Sequence, residues 1–277
     1  IWEHLVPRLK SLGAEVQSFD IDLLKEKLTI KDSFYPDYIF HVAAIAPASS
    51  DEVDLSKIIA DNIKMTDNVF GYAKTAKSKV IVLSSSHVYP PRTEEHFWQE
   101  AEVEWGKAFN PYGLSKQKVE QYCADYAEKN GLDLLIVRLS NVYGPGDRSN
   151  RFIPTFIRKC LAKKLPLEVF GAKTTKRDYI YIDDVVGGLT DSPNVLGYTK
   201  VINLGTGRSV TIGEIAETIV KQLGQDAGKI IYKMSKDSQT LSNVVNTVKA
   251  KKLLGFKPKT SLAEGLSKTI QWWAREK

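Results

Sequence analysis

Short apolar runs at 16–19, 38–42, 80–83 and 134–139 alternate along this chain with segments that carry apolar residues at helical spacing. A strand followed by a helix-length connection does not close as a hairpin; it returns parallel to its predecessor with the helix crossing one face. The expectation over residues 1–150 is therefore a parallel α/β sheet covered by helices. After Pro145 the pattern changes. Residues 152–162 read as a helix and 179–182 as a short strand, with mixed short elements following, so a smaller second lobe is expected over 151–277. Within it, 201–204 reads as a strand and 211–223 as a helix. The stretch 200–224 is expected to return to the main sheet, so that the lobes interleave.

A chain of 277 residues that is 43% hydrophobic and 26% charged can bury a sizeable core. No apolar run approaches the roughly 20 residues that span a bilayer, and no signal pattern opens the sequence, so a cytoplasmic protein without a membrane partner is expected. Cys123 and Cys160 each fall in a helical apolar pattern, which suits buried free thiols, and the four His lack metal-ligand spacing; no metal is expected. The net charge of +6 sits in scattered groups such as Lys163-Lys164, Lys176-Arg177 and the lysines of 249–252. No aromatic platform is interleaved with them, which argues for solvent-facing lysines and anionic small molecules rather than nucleic acid.

The chemistry concentrates in Asn110-Pro111-Tyr112-Gly113-Leu114-Ser115-Lys116. A Tyr and a Lys four residues apart at a helix start share one face. An ammonium there favours the tyrosinate, which makes Tyr112 a candidate base for taking a proton from an alcohol. Twelve Tyr and 30 Lys in 277 residues would give about one such spacing by chance, and a second pair stands at Tyr232 and Lys236. Only Tyr112 follows Asn-Pro and opens an amphipathic run through Val119, Tyr122, Cys123 and Tyr126 to Gly131. Upstream, the run 80–83 stops at Ser84-Ser85-Ser86-His87-Val88-Tyr89. Three serines are commonly just a polar turn, yet a hydroxyl at a strand's carboxyl end stands where ligands gather in an open parallel sheet.

In these motifs the chain resembles the extended short-chain dehydrogenases/reductases, the family of NAD-dependent nucleotide-sugar epimerases and dehydratases of the UDP-glucose 4-epimerase kind. The matching segments keep the family's order: FHVAA at 40–44, Asn62 with Thr66 and Asn68, SSSHVYP at 84–90, NPYGLSK, RLSNVYGPGD from Arg138, RDYIYIDDV from Arg177 and VINLGTG from Val201. The resemblance implies a Rossmann-like doubly wound parallel sheet with a smaller, interleaved C-terminal substrate lobe. It implies Ser85, Tyr112 and Lys116 as the catalytic triad. NAD is the implied cofactor, held by Asp20, Asp32, Ala43, Ala44 and Asn62 together with Tyr112 and Lys116. Asp20 is expected to end the strand 16–19, where a carboxylate accepts from a ribose 2′-hydroxyl and repels a 2′-phosphate. Ser86, His87, Asn141 and Arg177 are the implied substrate contacts, the Arg fork suiting phosphate. Asp183 and Asp184 are expected to cap a helix that starts at Val185. A homodimer through paired helices is implied as well.

The sequence departs from the family in three places. Relatives begin with a strand and a glycine-rich turn that grips the pyrophosphate; residues 1–277 open instead on a helix, without an initiator Met and with Trp2 at the last glycine position, so a truncated sequence is expected. A second phosphate-binding Arg is missing from 235–247, leaving Lys233 or Lys236 as substitutes. Dehydratases carry Asp-Glu where this chain has Ser86 and His87, which disfavours dehydration. The implied reaction is NAD-dependent oxidation of a sugar hydroxyl with Tyr112 as base, followed by return of the hydride to the other face: redox-neutral epimerisation of a nucleotide sugar. The alternatives are an epimerase-reductase in which His87 exchanges protons, and a non-catalytic dinucleotide-binding sensor on the same fold.

Overall fold

A computed structural model of the chain describes residues 1–30, 33–46, 54–163, 166–195, 200–233 and 242–276. In chain order they form α1 (Trp2–Ser11), β1 (Tyr38–His41), α2 (Leu55–Ala76), β2 (Lys79–Ser85), β3 (Phe97–Trp98), α3 (Pro111–Asn130), β4 (Leu134–Leu139), β5 (Asn141–Tyr143) and α4 (Phe152–Leu161). Then follow β6 (Leu167–Phe170), β7 (Lys176–Arg177), β8 (Tyr179–Tyr181), α5 (Ile182–Asp191), β9 (Lys200–Leu204), β10 (Val210–Thr211), α6 (Ile212–Gln222), β11 (Ile230–Lys233), β12 (Ser242–Val245), α7 (Val248–Leu254) and α8 (Leu262–Arg275).

The main sheet runs β1-β2-β4-β9, every pair parallel. Its two central strands are apolar on both faces because both faces are covered. Val80 and Val82 of β2, with Leu134 and Ile136 of β4, pack against Val69, Phe70 and Ala73 of α2 and Val119, Cys123 and Ala127 of α3. The alternate residues Ile81, Leu83, Leu135 and Val137 point the other way, into a core shared with Leu5 of α1 and Val185, Val186 and Leu189 of α5. Cys123 and Cys160 are buried free thiols. No helix among the described residues is long and apolar enough to cross a membrane.

Local signals set the helix bounds. The Asp54 carboxylate accepts from Lys57 N at 3.0 Å to start α2, and Lys77 ends it in the left-handed region at φ 58°. The Thr211 hydroxyl and Glu214 carboxylate form a reciprocal capping box on α6. Outside the main sheet, β10, β7, β12 and β3 form a small mixed sheet, while β6 pairs with β11 and β5 with β8.

Two expectations fail here. Residues 16–19 form no strand: the segment after α1 is irregular and mostly exposed. A strand is stable only when its backbone is paired; β1 pairs with β2 alone, and 16–19 does not add to its open outer edge. What fixes that region instead is Asn68 on α2, whose side chain accepts from Leu28 N and donates to Leu23 O and Glu26 O. The second miss concerns α5, which begins at Ile182, so Asp183 and Asp184 sit inside its first turn. There Asp184 accepts from Lys259 N and Thr260 N, and Asp183 faces His4 at 3.5 Å.

Candidate active site

The carboxyl end of β2 and the amino end of α3 meet at one place, and a glycine makes the approach possible. A Cβ on Gly113 would lie 1.9 Å from the His87 carbonyl oxygen, so only glycine fits at this helix turn. Asn110 caps α3, its side chain accepting from Gly113 N at 2.9 Å, and Pro111 occupies the first helical position. From the other side, Phe109 N donates to His87 O at 2.9 Å. Tyr112 is thereby placed beside the turn that follows Ser85.

Ser85 is the last residue of β2, and its Oγ accepts from His87 N at 3.2 Å. The Lys116 ammonium lies 5.9 Å from the centre of the Tyr112 ring and donates to Leu83 O at 2.9 Å. The His87 imidazole sits edge-on to Tyr112 at 6.1 Å and beside Phe109 at 5.1 Å. Its Nδ1 receives the Asn110 amide at 3.2 Å, and Asn141 makes a further hydrogen bond to it. The Arg177 guanidinium stacks over Phe109 at 4.7 Å. Ser85, Ser86, His87, Tyr112, Lys116, Asn141 and Arg177 are therefore brought together. Phe109, which joins Arg177 to His87, was not singled out from the sequence; its place directly before the Asn-Pro cap was the available signal.

The electrostatics differ from the expectation in one respect. Burial pushes the Tyr112 phenol up to about 12, and the opposing influence on it is Arg151 rather than Lys116. Lys116 is itself pulled down to about 8 by burial, against the raising influence of Cys123 and Glu120. Desolvation disfavours the charged form of both groups and is the largest influence on each. His87 is lowered to about 4 by burial and by Arg177, so it is a neutral imidazole at neutral pH. Arg151 acts on Tyr112, His87 and Tyr179 alike; it stands at the N-cap of α4 and was likewise missed.

The remaining expected residues are placed less uniformly. Asn62 pins the segment after β1: it accepts from Ile45 N at 2.8 Å, donates to Ile45 O at 3.1 Å and donates to Ser115 Oγ of α3 at 3.1 Å. Ala43 and Ala44 are exposed at the carboxyl end of β1, leaving backbone open to a flat ligand. Asp20 is exposed in the irregular segment, away from any strand end. Asp32 and Lys236 lie outside the described residues. Lys233 is bound to Glu168 at the surface, which removes it as the substitute for a phosphate-binding Arg. For a dinucleotide, the groups at the ribose and nicotinamide end fit: Tyr112, Lys116, Asn62 and the open backbone at Ala43-Ala44. The phosphate end has no comparable cradle among the described residues, and Trp2 is 52% exposed.

Residues 4–192 match the sequence profile of the NAD dependent epimerase/dehydratase family. The UDP-glucuronate 4-epimerase of Thermodesulfobacterium geofontis is 30% identical over 264 residues, covering 95% of this chain and 80% of the relative. UDP-glucuronic acid decarboxylase 1 of Xenopus tropicalis is 29% identical, and the match spans 87% of this chain but 57% of the decarboxylase. Among solved structures, UDP-glucuronic acid 4-epimerase from Bacillus cereus, in complex with UDP-glucuronic acid and NAD, superposes with a TM-score of 0.80 at 25% identity, covering 98% of this chain and 86% of that one. MoeE5 in complex with UDP-glucuronic acid and NAD gives a TM-score of 0.84 at 25% identity, with 99% and 96% covered. Together with the parallel sheet and the Ser85, Tyr112 and Lys116 constellation at its carboxyl edge, these matches show that the chain belongs to the NAD dependent epimerase/dehydratase family.

Proposed function

We propose that the protein epimerises a nucleotide sugar without net redox change, with Tyr112 exchanging the proton of the reacting hydroxyl. When bound, the oxidised dinucleotide would supply a hydride acceptor and a positive charge. The Ser85 Oγ hydrogen-bonds the substrate oxygen, and Lys116, 5.9 Å from the centre of the Tyr112 ring, holds the dinucleotide ribose beside it. Ala43, Ala44 and Asn62 serve the dinucleotide side, in a lobe over 1–150; for Asp20 and Asp32 the dinucleotide role rests on the family resemblance alone. Ser86, His87, Asn141 and Arg177 contact the sugar nucleotide from the edge of a substrate lobe over 151–277. A homodimer through paired helices, α3 with Tyr112 and Lys116 among them, belongs to the same reading.

One observation carries the choice of reaction. The charged groups acting on His87 are the cations Arg177 and Arg151, and Arg151 acts on Tyr112 as well. The Arg177 fork, stacked on Phe109 beside His87, suits a phosphate of a nucleoside diphosphate, while Arg151 is already paired with Asp147 at 3.0 Å. The Asp-Glu pair that serves as acid and base in dehydration is replaced by Ser86 and a neutral, doubly hydrogen-bonded His87. That imidazole, at about 4, is also poorly poised as the general acid of a reductase. A dinucleotide sensor would have no use for Tyr112 and Lys116 held together under a serine turn.

UDP-glucuronate is the first sugar to test, because relatives at 30% identity and at TM-score 0.80 act on or bind it. The protein is incubated with NAD and, separately, UDP-, GDP-, CDP- and dTDP-sugars without reductant, and products are read by NMR. An epimer supports the reading and names the substrate. Loss of carbon dioxide with formation of a UDP-pentose would assign decarboxylation instead, and no product from any sugar sinks the enzyme reading for that panel.

A further inference from the structure

Glu120 lies one helical turn beyond Lys116 and two beyond Tyr112, on the face of α3 that meets the sheet. Its carboxylate is buried at 2% exposure and fully engaged. Oε1 accepts from the Ser84 hydroxyl at 2.5 Å and from Arg138 Nε at 3.0 Å; Oε2 accepts from Arg138 Nη2 at 2.6 Å. Ser84 and Arg138 are register partners on β2 and β4, and Ser84 directly precedes the candidate catalytic Ser85. One carboxylate therefore clamps α3 to two strands at the level where the site begins. The other end of Arg138 is held by the Tyr89 hydroxyl at 3.0 Å and Glu100 O at 2.8 Å, and Tyr89 donates onward to Asn203 at 2.7 Å.

A buried ion pair is weak evidence for stability, since apolar replacements are often as good or better. The surroundings of Lys116 suggest another reason for this one. The ammonium lies beside the Tyr112 ring and donates to Leu83 O of β2, and the titratable groups that act on it or on which it acts are Cys123 and Glu120 of α3 and His41 of β1. His41 is lowered to about 3 by burial and is neutral; burial also pushes the Cys123 thiol up, so it too is neutral at pH 7. Glu120 is the one standing anion in that group, on the same face of α3 one turn from Lys116, with Arg138 bound to both of its oxygens.

We propose that Glu120 is a positioning residue for the reaction: it sets α3 against the end of β2 and supplies the negative charge that keeps Lys116 an ammonium beside Tyr112. The proposal rests on the epimerase reading for its kinetic half only.

The test is Glu120→Gln, with Glu120→Gln/Arg138→Gln as the second variant in case an unpaired buried guanidinium prevents folding. Lys116 is titrated by NMR in protein carrying nitrogen-15 lysine, its signal identified by its loss in Lys116→Met. In the folded single variant the Lys116 titration is expected to move down by about one pH unit, and in the double variant by less, because a cation leaves with the anion. The alkaline limb of the rate profile moves down with it, and kcat falls about tenfold with KM for the sugar within about twofold. An unmoved titration overturns the proposal even if kcat drops, because Glu120 is then only structural; a moved titration with full kcat overturns it too. If the wild type turns over no sugar, the epimerase reading fails separately, and the titration alone still decides whether Glu120 sets the charge on Lys116.

Discussion

Replacing Lys116 by Met is expected to stabilise the ligand-free protein at pH 7 and to lose that advantage at pH 10. The Lys116 side chain is 5% exposed, and burial lowers it from 10.5 to about 8. At about 1.4 kcal/mol per pH unit, holding the ammonium there costs about 3 kcal/mol below pH 8. Met keeps the length and apolar body of the stem but leaves Leu83 O without its 2.9 Å donor, a loss of about 1–2 kcal/mol. The net gain is about 1–2 kcal/mol at pH 7. The sign follows from the depressed value: the folded state disfavours the proton, so the wild type gains stability as pH rises from 8 towards 10.5. By pH 10 only about 1 kcal/mol of the cost remains, and Lys116→Met falls level with the wild type or below it. Urea unfolding followed by tryptophan fluorescence at both pH values reads the difference, in which all other titrating groups cancel. A variant less stable than the wild type at pH 7, or a gap that does not change with pH, would refute the argument that this ammonium is held at a cost.

Tyr112→Phe is expected to lower turnover by about 10²–10⁴-fold while leaving the melting temperature within a few degrees, as measured by product NMR and calorimetry. Gly113→Ala drives a Cβ into the His87 carbonyl; backbone must shift, and a loss of about 1–3 kcal/mol in urea unfolding is expected together with reduced turnover. Ile136 is 1% exposed between the sheet and helices α2 and α3, so Ile136→Ala costs about 2–5 kcal/mol by the same assay. His4 bonds to Pro145 O at 3.0 Å, and its partner Asp183 raises its pKa, with burial opposing. A raised value means stability that is full below about 6.5 and lost as pH rises through the folded value. The stability gap between wild type and His4→Phe therefore shrinks from pH 6 to pH 8.

What the sequence made legible was local or strongly periodic. The strands at β2 and β4 announce themselves by continuous apolar residues, and α3 by its Asn-Pro start and Gly131 end. Residues 16–19 carry a strand-like pattern too, but pairing is a property of neighbours, and no strand of the sheet pairs with them, the outer edge of β1 staying open. The Tyr112 and Lys116 pair was legible as spacing, while its electrostatics were not: spacing reports proximity, whereas desolvation depends on what the rest of the fold places over both side chains. Glu120 and Arg138 read in sequence as ordinary helix and strand charges, since nothing local distinguishes an ion pair at the surface from one closed between two strands. Phe109 and Arg151 reach the site only through the folding of the loops that precede α3 and α4.

Transient oxidation with return of the same hydride is tested most directly by UDP-glucuronate carrying deuterium at the carbon that inverts. The sugar is incubated with the protein and NAD, without reductant, and read by NMR. The account predicts an epimer that keeps its deuterium at that carbon, with no net accumulation of reduced dinucleotide. An epimer that has taken hydrogen from solvent, or conversion that stops at oxidised sugar and reduced dinucleotide, would contradict it.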